Sequence, residues 1–212
     1  WLDEETARVR GVKELGGADH AIIPDRIETG TFLVAGALTG GDFVVRGVVP
    51  AHVASVVDRL RASGAAVEPA GEGALRVVGA AEVRPQDITT SPYPGFPTDM
   101  QAQFMVLLTQ AAGTSIITET IFDRRFSHVN ELVRLGAAIE VQGDKAVVKG
   151  KTPLSGAEVV ATDLRASAAL VLAGLVAAGE TTVTEIEHLD RGYERIEDKL
   201  RGLGASIERV PA

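Results

Sequence analysis

The chain has 212 residues, 45% hydrophobic and 24% charged, the balance of an ordinary globular fold with a sizeable buried core. It holds no cysteine, which excludes disulfides and thiolate metal sites and makes a reducing cytoplasm the expected setting. A formal charge of −8 argues against a nucleic-acid coat, and no apolar run has the length of a membrane span or the flanks of a signal peptide. Local arginine pockets for a phosphorylated small molecule stay open. Trp1 is not a start methionine, and the only methionines are Met100 and Met105, so the chain is expected to be processed or cut from something longer.

In chain order, Val9-Arg-Gly11 reads as an opening strand and Ala21-Ile-Ile-Pro24 as a second short extended stretch. Phe32–Leu38 reads as a helix apolar nearly all round, stopped by Gly41 and followed by a β-branched strand at Phe43-Val-Val45. An amphipathic helix then runs into Leu60-Arg-Ala-Ser-Gly-Ala-Ala-Val-Glu68. The series restarts at Gly79, with Asp87–Thr90 extended, Phe104–Leu108 an apolar helix, Gly113 its stop, and Thr114–Ile121 the strand. It restarts again at Gly150, with Glu158–Ala161, the apolar helix Ala168–Val176, Gly179, the strand Thr181–Ile186 and the amphipathic helix Tyr193–Leu200.

The closing words are one pattern written three times. Leu60–Glu68, Leu132–Glu140 and Leu200–Glu208 all read L-x-x-x-G-A-x-[VI]-E, a helix that ends on glycine and passes at once into a strand. Three units follow, at about 7–69, 74–140 and 145–210, forming one self-contained domain. A helix without a polar face must be enclosed. The expected fold is therefore α/β, with three repeats of mixed sheet and amphipathic helix packed around a core of buried apolar helices.

Chemistry-bearing residues gather at the helix starts. Ser91-Pro-Tyr-Pro-Gly-Phe-Pro-Thr-Asp99 is extended by its prolines and delivers Asp99 to the start of the second buried helix. Thr98-Asp-Met-Gln101 also fits a capping box, so Asp99 either complements the helix dipole or serves a site. In the third unit Asp163 suits the same dipole, whereas Arg165 in the first turn opposes it unless it reaches an anion or the aspartate. Asp123-Arg-Arg-Phe126 and Asp190-Arg-Gly-Tyr193 place further arginines at strand-to-helix junctions, either as solvated turns or as parts of an anion pocket. The four histidines show no ligand spacing and read as structural or surface; no metal site or cofactor is expected, and the glycine-rich nucleotide loops are missing.

Pro24-Asp-Arg-Ile-Glu-Thr-Gly-Thr31, Phe96-Pro-Thr-Asp-Met-Gln-Ala-Gln-Phe104, Arg125-Phe126 with His128-Val129, Thr162-Asp-Leu-Arg-Ala-Ser167 and His188–Leu200 together resemble the UDP-N-acetylglucosamine 1-carboxyvinyltransferase family of enolpyruvyl transferases. The resemblance covers nearly the whole chain in order. It implies one of two inside-out α/β barrel domains, the second being absent. It implies a cytoplasmic transferase that moves the enolpyruvyl group of phosphoenolpyruvate to the 3′-hydroxyl of UDP-N-acetylglucosamine by addition and elimination. That is the first committed step of peptidoglycan synthesis, and so of cell-wall biogenesis, cell shape and cell division.

By position the resemblance makes Asp99 the carboxylate at the sugar hydroxyl and candidate base, and Ile121 a sugar-nucleotide contact through its backbone. Arg125, Arg165 and Arg191 become the phosphoenolpyruvate-side cations, and Asp163 a second carboxylate near the reacting carbon. The general acid, a Cys or Asp on a mobile loop, and a Lys-Asn pair belong to the other domain, so this chain alone is expected to be inactive. Two other readings are half of a 3-phosphoshikimate 1-carboxyvinyltransferase and a non-catalytic domain binding a nucleotide-sugar or a partner protein. The T-D-M-Q-A-Q and D-L-R-A-S words favour the amino-sugar enzyme over the first.

Overall fold

The computed structural model describes residues 6–161 and 163–210; Trp1 and Thr162 lie outside them. The first elements are helix α1 (Arg26–Thr39), strand β1 (Asp42–Arg46), helix α2 (Ala54–Ala62) and strands β2 (Ala66–Pro69) and β3 (Ala74–Val78). Next come β4 (Ile88–Thr89), α3 (Gln101–Thr109), β5 (Thr114–Thr118), α4 (Val129–Arg134), β6 (Ala138–Gln142) and β7 (Lys145–Lys149). The last are β8 (Glu158–Val160), α5 (Leu164–Gly174), β9 (Thr182–Thr184), α6 (Glu187–Asp190) and α7 (Ile196–Gly202). Among the described residues they make a sheet β1-β3-β2, a sheet β4-β5-β7-β6 and a pair β8-β9. β4–β5 and β8–β9 are parallel, and the other pairings are antiparallel.

The threefold pattern is a helix terminator with every residue accounted for. Gly64, Gly136 and Gly204 take φ of +105°, +97° and +100°, a region that a Cβ resists. The alanine after each donates its N–H to the carbonyl of the pattern's leucine, Leu60, Leu132 or Leu200, at 3.0–3.1 Å. Each glycine N–H bonds one residue further along, to Arg61, Val133 or Arg201, at 2.9–3.0 Å. This is the Schellman closure, which satisfies carbonyls the helix end would otherwise orphan. The three leucines are buried, so the terminator is also anchored in the core.

α1, α3 and α5 pack against one another in the middle. Every residue of α3 is buried, as are Ala166–Ala173 of α5 and Thr29–Leu38 of α1. The sheets lay Val67, Leu75, Val77, Ile117, Ala146, Val148 and Val159 onto them. Each large apolar side chain so enclosed contributes about 1.5–3 kcal/mol. The amphipathic helices α2, α4 and α7 cover the outside through Val56, Leu60, Leu132, Ile196 and Leu200.

Some expected strands do not form. Residues 9–11 and 21–24 enter no ladder, and Val9, Leu15 and Ile22 are 89–91% exposed. Residues 205–208 are likewise not a strand. In the first two units the closing strand pairs with the one that follows it, β2 with β3 and β6 with β7. Among the described residues the third unit offers no such neighbour, and a strand cannot satisfy its backbone alone. Arg201 holds the Ile207 carbonyl instead, just as Arg61 holds that of Val67. Arg209 then ties the segment to Asp190 and Glu197. The buried helices also end before the expected glycines: α1 at Thr39, capped by Gly40 rather than Gly41, α3 at Thr109 rather than Gly113, and α5 at Gly174 rather than Gly179.

At the end of β3 the backbone of Gly79 lies against the end of α1, donating to the Gly41 carbonyl at 2.9 Å. A Cβ there would stand 2.5 Å from Gly40 Cα and 2.7 Å from the Gly36 carbonyl, both backbone atoms that cannot turn aside. Gly79→Ala is therefore expected to cost about 1–3 kcal/mol, read as a lower urea midpoint. An unchanged midpoint would contradict this packing.

Candidate active site

The Ser91–Pro97 segment is not the expected extended stretch. It closes into a turn, with Gly95 N–H donating to the Pro92 carbonyl at 2.8 Å and Ser91 N–H to the Phe96 carbonyl at 2.9 Å. The 3-10 turn that follows, Thr98–Met100, presents Asp99 beside α3. The expected capping box is not formed. Thr98 makes no cap bond: its hydroxyl donates to Glu119 Oε2 at 2.8 Å and accepts from Arg125 Nη1 at 2.7 Å. Gln101 donates to the Arg125 carbonyl at 3.2 Å, another side chain turned away from the helix end. Stronger charged partners outcompete a neutral cap at this position.

Asp99 lies between two cations. Its Oδ1 accepts from Arg125 Nη2 at 2.8 Å and its Oδ2 from Arg165 Nη2 at 3.4 Å. The side chain keeps 36% of its surface in solvent, so a ligand can reach the carboxylate. Arg165 comes from the first turn of α5, where the Asp163 carboxylate caps the helix by accepting from Arg165 and Ala166 N–H at 2.8 and 2.9 Å. The arginine that opposes the helix dipole thus finds its anion in the other unit, not in its own cap. One of its nitrogens, Nη1, is buried without a hydrogen-bond partner among the described residues, and its guanidinium lies 5.9 Å from the centre of the Tyr193 ring.

The structure places the remaining residues more loosely. Ile121 sits in the turn after β5, and its N–H is committed to Glu119 Oε1 at 2.8 Å, while its carbonyl accepts no backbone hydrogen bond among the described residues. Arg191 caps the end of the short helix α6 on an exposed turn, its backbone N–H bonding the Leu189 carbonyl, and its side chain makes no hydrogen bond or ion pair among the described residues. It is two residues from Tyr193, which carries Arg165 on its ring. No group of three or more His, Cys, Asp or Glu side chains suited to a metal ion occurs among the described residues.

Glu119 and Tyr193 join the site without a motif that marks them. Glu119 is buried, yet it continues the inward parity of Ser115 and Ile117 on β5, a signal readable from alternation. Tyr193 is buried beneath Arg165, its hydroxyl 2.9 Å from Thr31 Oγ1 and within 3.4 Å of Gln103 Nε2. Burial pushes its phenol above the usual range. His128 is buried as well, and its Nε2 has no partner among the described residues.

The EPSP synthase (3-phosphoshikimate 1-carboxyvinyltransferase) family profile matches residues 2–200. The chain belongs to this family. Among curated relatives of this EPSP synthase family member, a UDP-N-acetylglucosamine 1-carboxyvinyltransferase of Anaeromyxobacter sp. (strain K) is 63% identical over 202 residues. That alignment covers 95% of the chain and 48% of the relative. A protein of the same name from Koribacter versatilis is 55% identical over 99% of the chain and 48% of its own length. The chain therefore spans about half the length of the curated relatives it matches. Among solved structures, the enolpyruvyl transferase NikO from Streptomyces tendae superposes with a TM-score of 0.80 at 31% identity, covering 88% of this chain and 44% of its own. An EPSP synthase from Acinetobacter baumannii, at 21% identity and a TM-score of 0.68, shows the shared fold. The architecture is the inside-out α/β barrel domain of the enolpyruvyl transferases: helices in the centre, sheets around them.

His128 supplies a solution test of this part of the family fold. Burial, aided by Arg125 and opposed by Asp163, depresses its pKa from 6.5 to about 4. The unfolded chain thus takes up the imidazole proton as pH falls through 6.5, while the folded chain stays neutral until about 4. The folded state loses up to roughly 3 kcal/mol across that window, and the loss levels off below it. Urea unfolding at several pH values should show a shallower decline between pH 6.5 and 4 in His128→Phe than in the unmodified chain. Equal slopes would place the histidine in water.

Proposed function

We propose that this chain is one domain of a UDP-N-acetylglucosamine 1-carboxyvinyltransferase, a cytoplasmic enzyme opening peptidoglycan synthesis. The observation that carries the reading is Asp99 held between Arg125 and Arg165, at 2.8 and 3.4 Å. One carboxylate and two cations from separate units suit a reaction that removes a hydroxyl proton beside a phosphorylated carboxylic acid. The names of relatives 55–63% identical to the chain support the same substrates.

In this reading the sugar 3′-oxygen forms a bond to C2 of phosphoenolpyruvate, and its proton passes to Asp99. The methylene carbon takes a proton from an acid outside this chain, giving a tetrahedral intermediate. The C2–O bond to phosphate then breaks as the methyl group returns a proton to that acid and Asp99 passes the hydroxyl proton to the departing phosphate, leaving the enol ether and inorganic phosphate. Arg125 and Arg165 turn from Asp99 toward the incoming anion, which frees the carboxylate oxygens for the hydroxyl. Arg191, unpaired on its exposed turn among the described residues, adds a third cation from the rim. Asp163 fixes the α5 start that aims Arg165, and Ile121 offers its carbonyl to the sugar nucleotide.

The acid and the facing wall of the cleft belong to the second domain, so this chain alone is inactive; product formed by the purified chain would overturn that. In the full-length enzyme, Asp99→Asn should lower kcat by on the order of 10²–10⁴ with the circular dichroism spectrum unchanged. Near-normal turnover would remove Asp99 from the chemistry. Offering UDP-N-acetylglucosamine and shikimate 3-phosphate side by side identifies the acceptor, and turnover of the second alone would replace this reading with the shikimate one.

A further inference from the structure

We propose that Glu119 is a positioning residue that couples the Thr120–Phe122 turn to the Asp99–Arg125 pair. This rests on the transferase reading above and names a residue that it does not otherwise use. Glu119 is 4% exposed, and a carboxylate so enclosed is tolerated only when donors surround it. Four do. Oε1 accepts from Thr90 Oγ1 at 2.9 Å, Ile121 N–H at 2.8 Å and Phe122 N–H at 3.2 Å, and Oε2 accepts from Thr98 Oγ1 at 2.8 Å.

The consequence lies in the direction of the hydrogens. An ionised carboxylate only accepts, so Thr98 must point its single hydroxyl hydrogen at Oε2. Its lone pairs are thereby turned to Arg125, whose Nη1 donates to them at 2.7 Å. The neighbouring Nη2 holds Asp99 at 2.8 Å. One buried carboxylate thus sets the turn that carries Ile121, the polarity of Thr98 and, through it, the plane of the Arg125 guanidinium. No apolar residue at 119 could do this, and no neutral amide could do it fully.

Glu119→Gln tests the idea because it preserves shape. The amide oxygen can keep the three donors at Oε1, but its NH₂ then faces Thr98. The threonine hydrogen is driven toward Arg125, and two donors meet. In the full-length enzyme, Glu119→Gln should lower kcat at least tenfold while the KM for UDP-N-acetylglucosamine moves less than threefold and the melting temperature stays within a few degrees. Thr98→Val, which breaks the same relay, should give a similar loss. The double variant should be no worse than the weaker single, because both act through one chain of bonds.

Independently of turnover, nitrogen-15 NMR of this chain should show resolved Arg125 Nη signals in the unmodified protein and averaged ones in Glu119→Gln. Multiplying losses in the double variant, or signals still resolved in Glu119→Gln, would overturn the relay. A full-length enzyme inactive on UDP-N-acetylglucosamine, but with the NMR response intact, would instead defeat the transferase reading and leave the positioning role standing.

Discussion

A helix without a polar side cannot meet water, and three such helices occur in this chain. α3 has no exposed residue, and α1 and α5 are nearly as enclosed. Here the sheets and the amphipathic helices α2, α4 and α7 cover them, so sheets form the outside and helices the middle, the reverse of most layered α/β domains. The helix terminators then become necessary. Each covering helix must stop within its own layer, and the left-handed glycine with its buried leucine stops all three, handing the chain to a strand in the first two units.

The same constraint produces the site. The starts of α3 and α5 come close enough for Asp99, just before one, to meet Arg165 in the first turn of the other. Polar residues that would be costly inside the bundle are tolerated at this end, where solvent still reaches. Just beneath, Thr31, Gln103 and Tyr193 join in one polar contact, with α1, α3 and the segment before α7 each supplying a group. That contact is where the apolar packing of the bundle gives way to charge.

What the sequence reveals follows from how local each feature is. The buried helices were readable because all-round apolarity is a property of one segment. The terminators were readable because glycine, leucine and alanine act within six residues of one another. Strands at 9–11, 21–24 and 205–208 were misread because a strand depends on a distant neighbour, and its own composition does not say whether that neighbour is there. The capping box at Thr98 failed for a similar reason. Its competitors, Glu119 and Arg125, lie 21 and 27 residues away.

Site residues divide along the same line. Arg165 stood out because it opposes its own helix dipole, a local anomaly that demanded an anion. Which anion satisfied it was not local: Asp99 is 66 residues distant. Glu119 left only the faint trace of a charge at an inward position of a strand. The conflict between that charge and its place in the alternation is physically the same as the conflict at Arg165. In both, a residue costly to its own element is retained because it satisfies groups in another. Such local violations with distant compensation are where a repeated scaffold becomes asymmetric. Thr31, Gln103 and Ser167 stand immediately before Phe32, Phe104 and Ala168 in the three buried helices, yet only the second and third units add Asp99, Arg125 and Arg165. The repeat explains why the three helix starts converge, and the departures from it explain why charge collects at one side of that convergence.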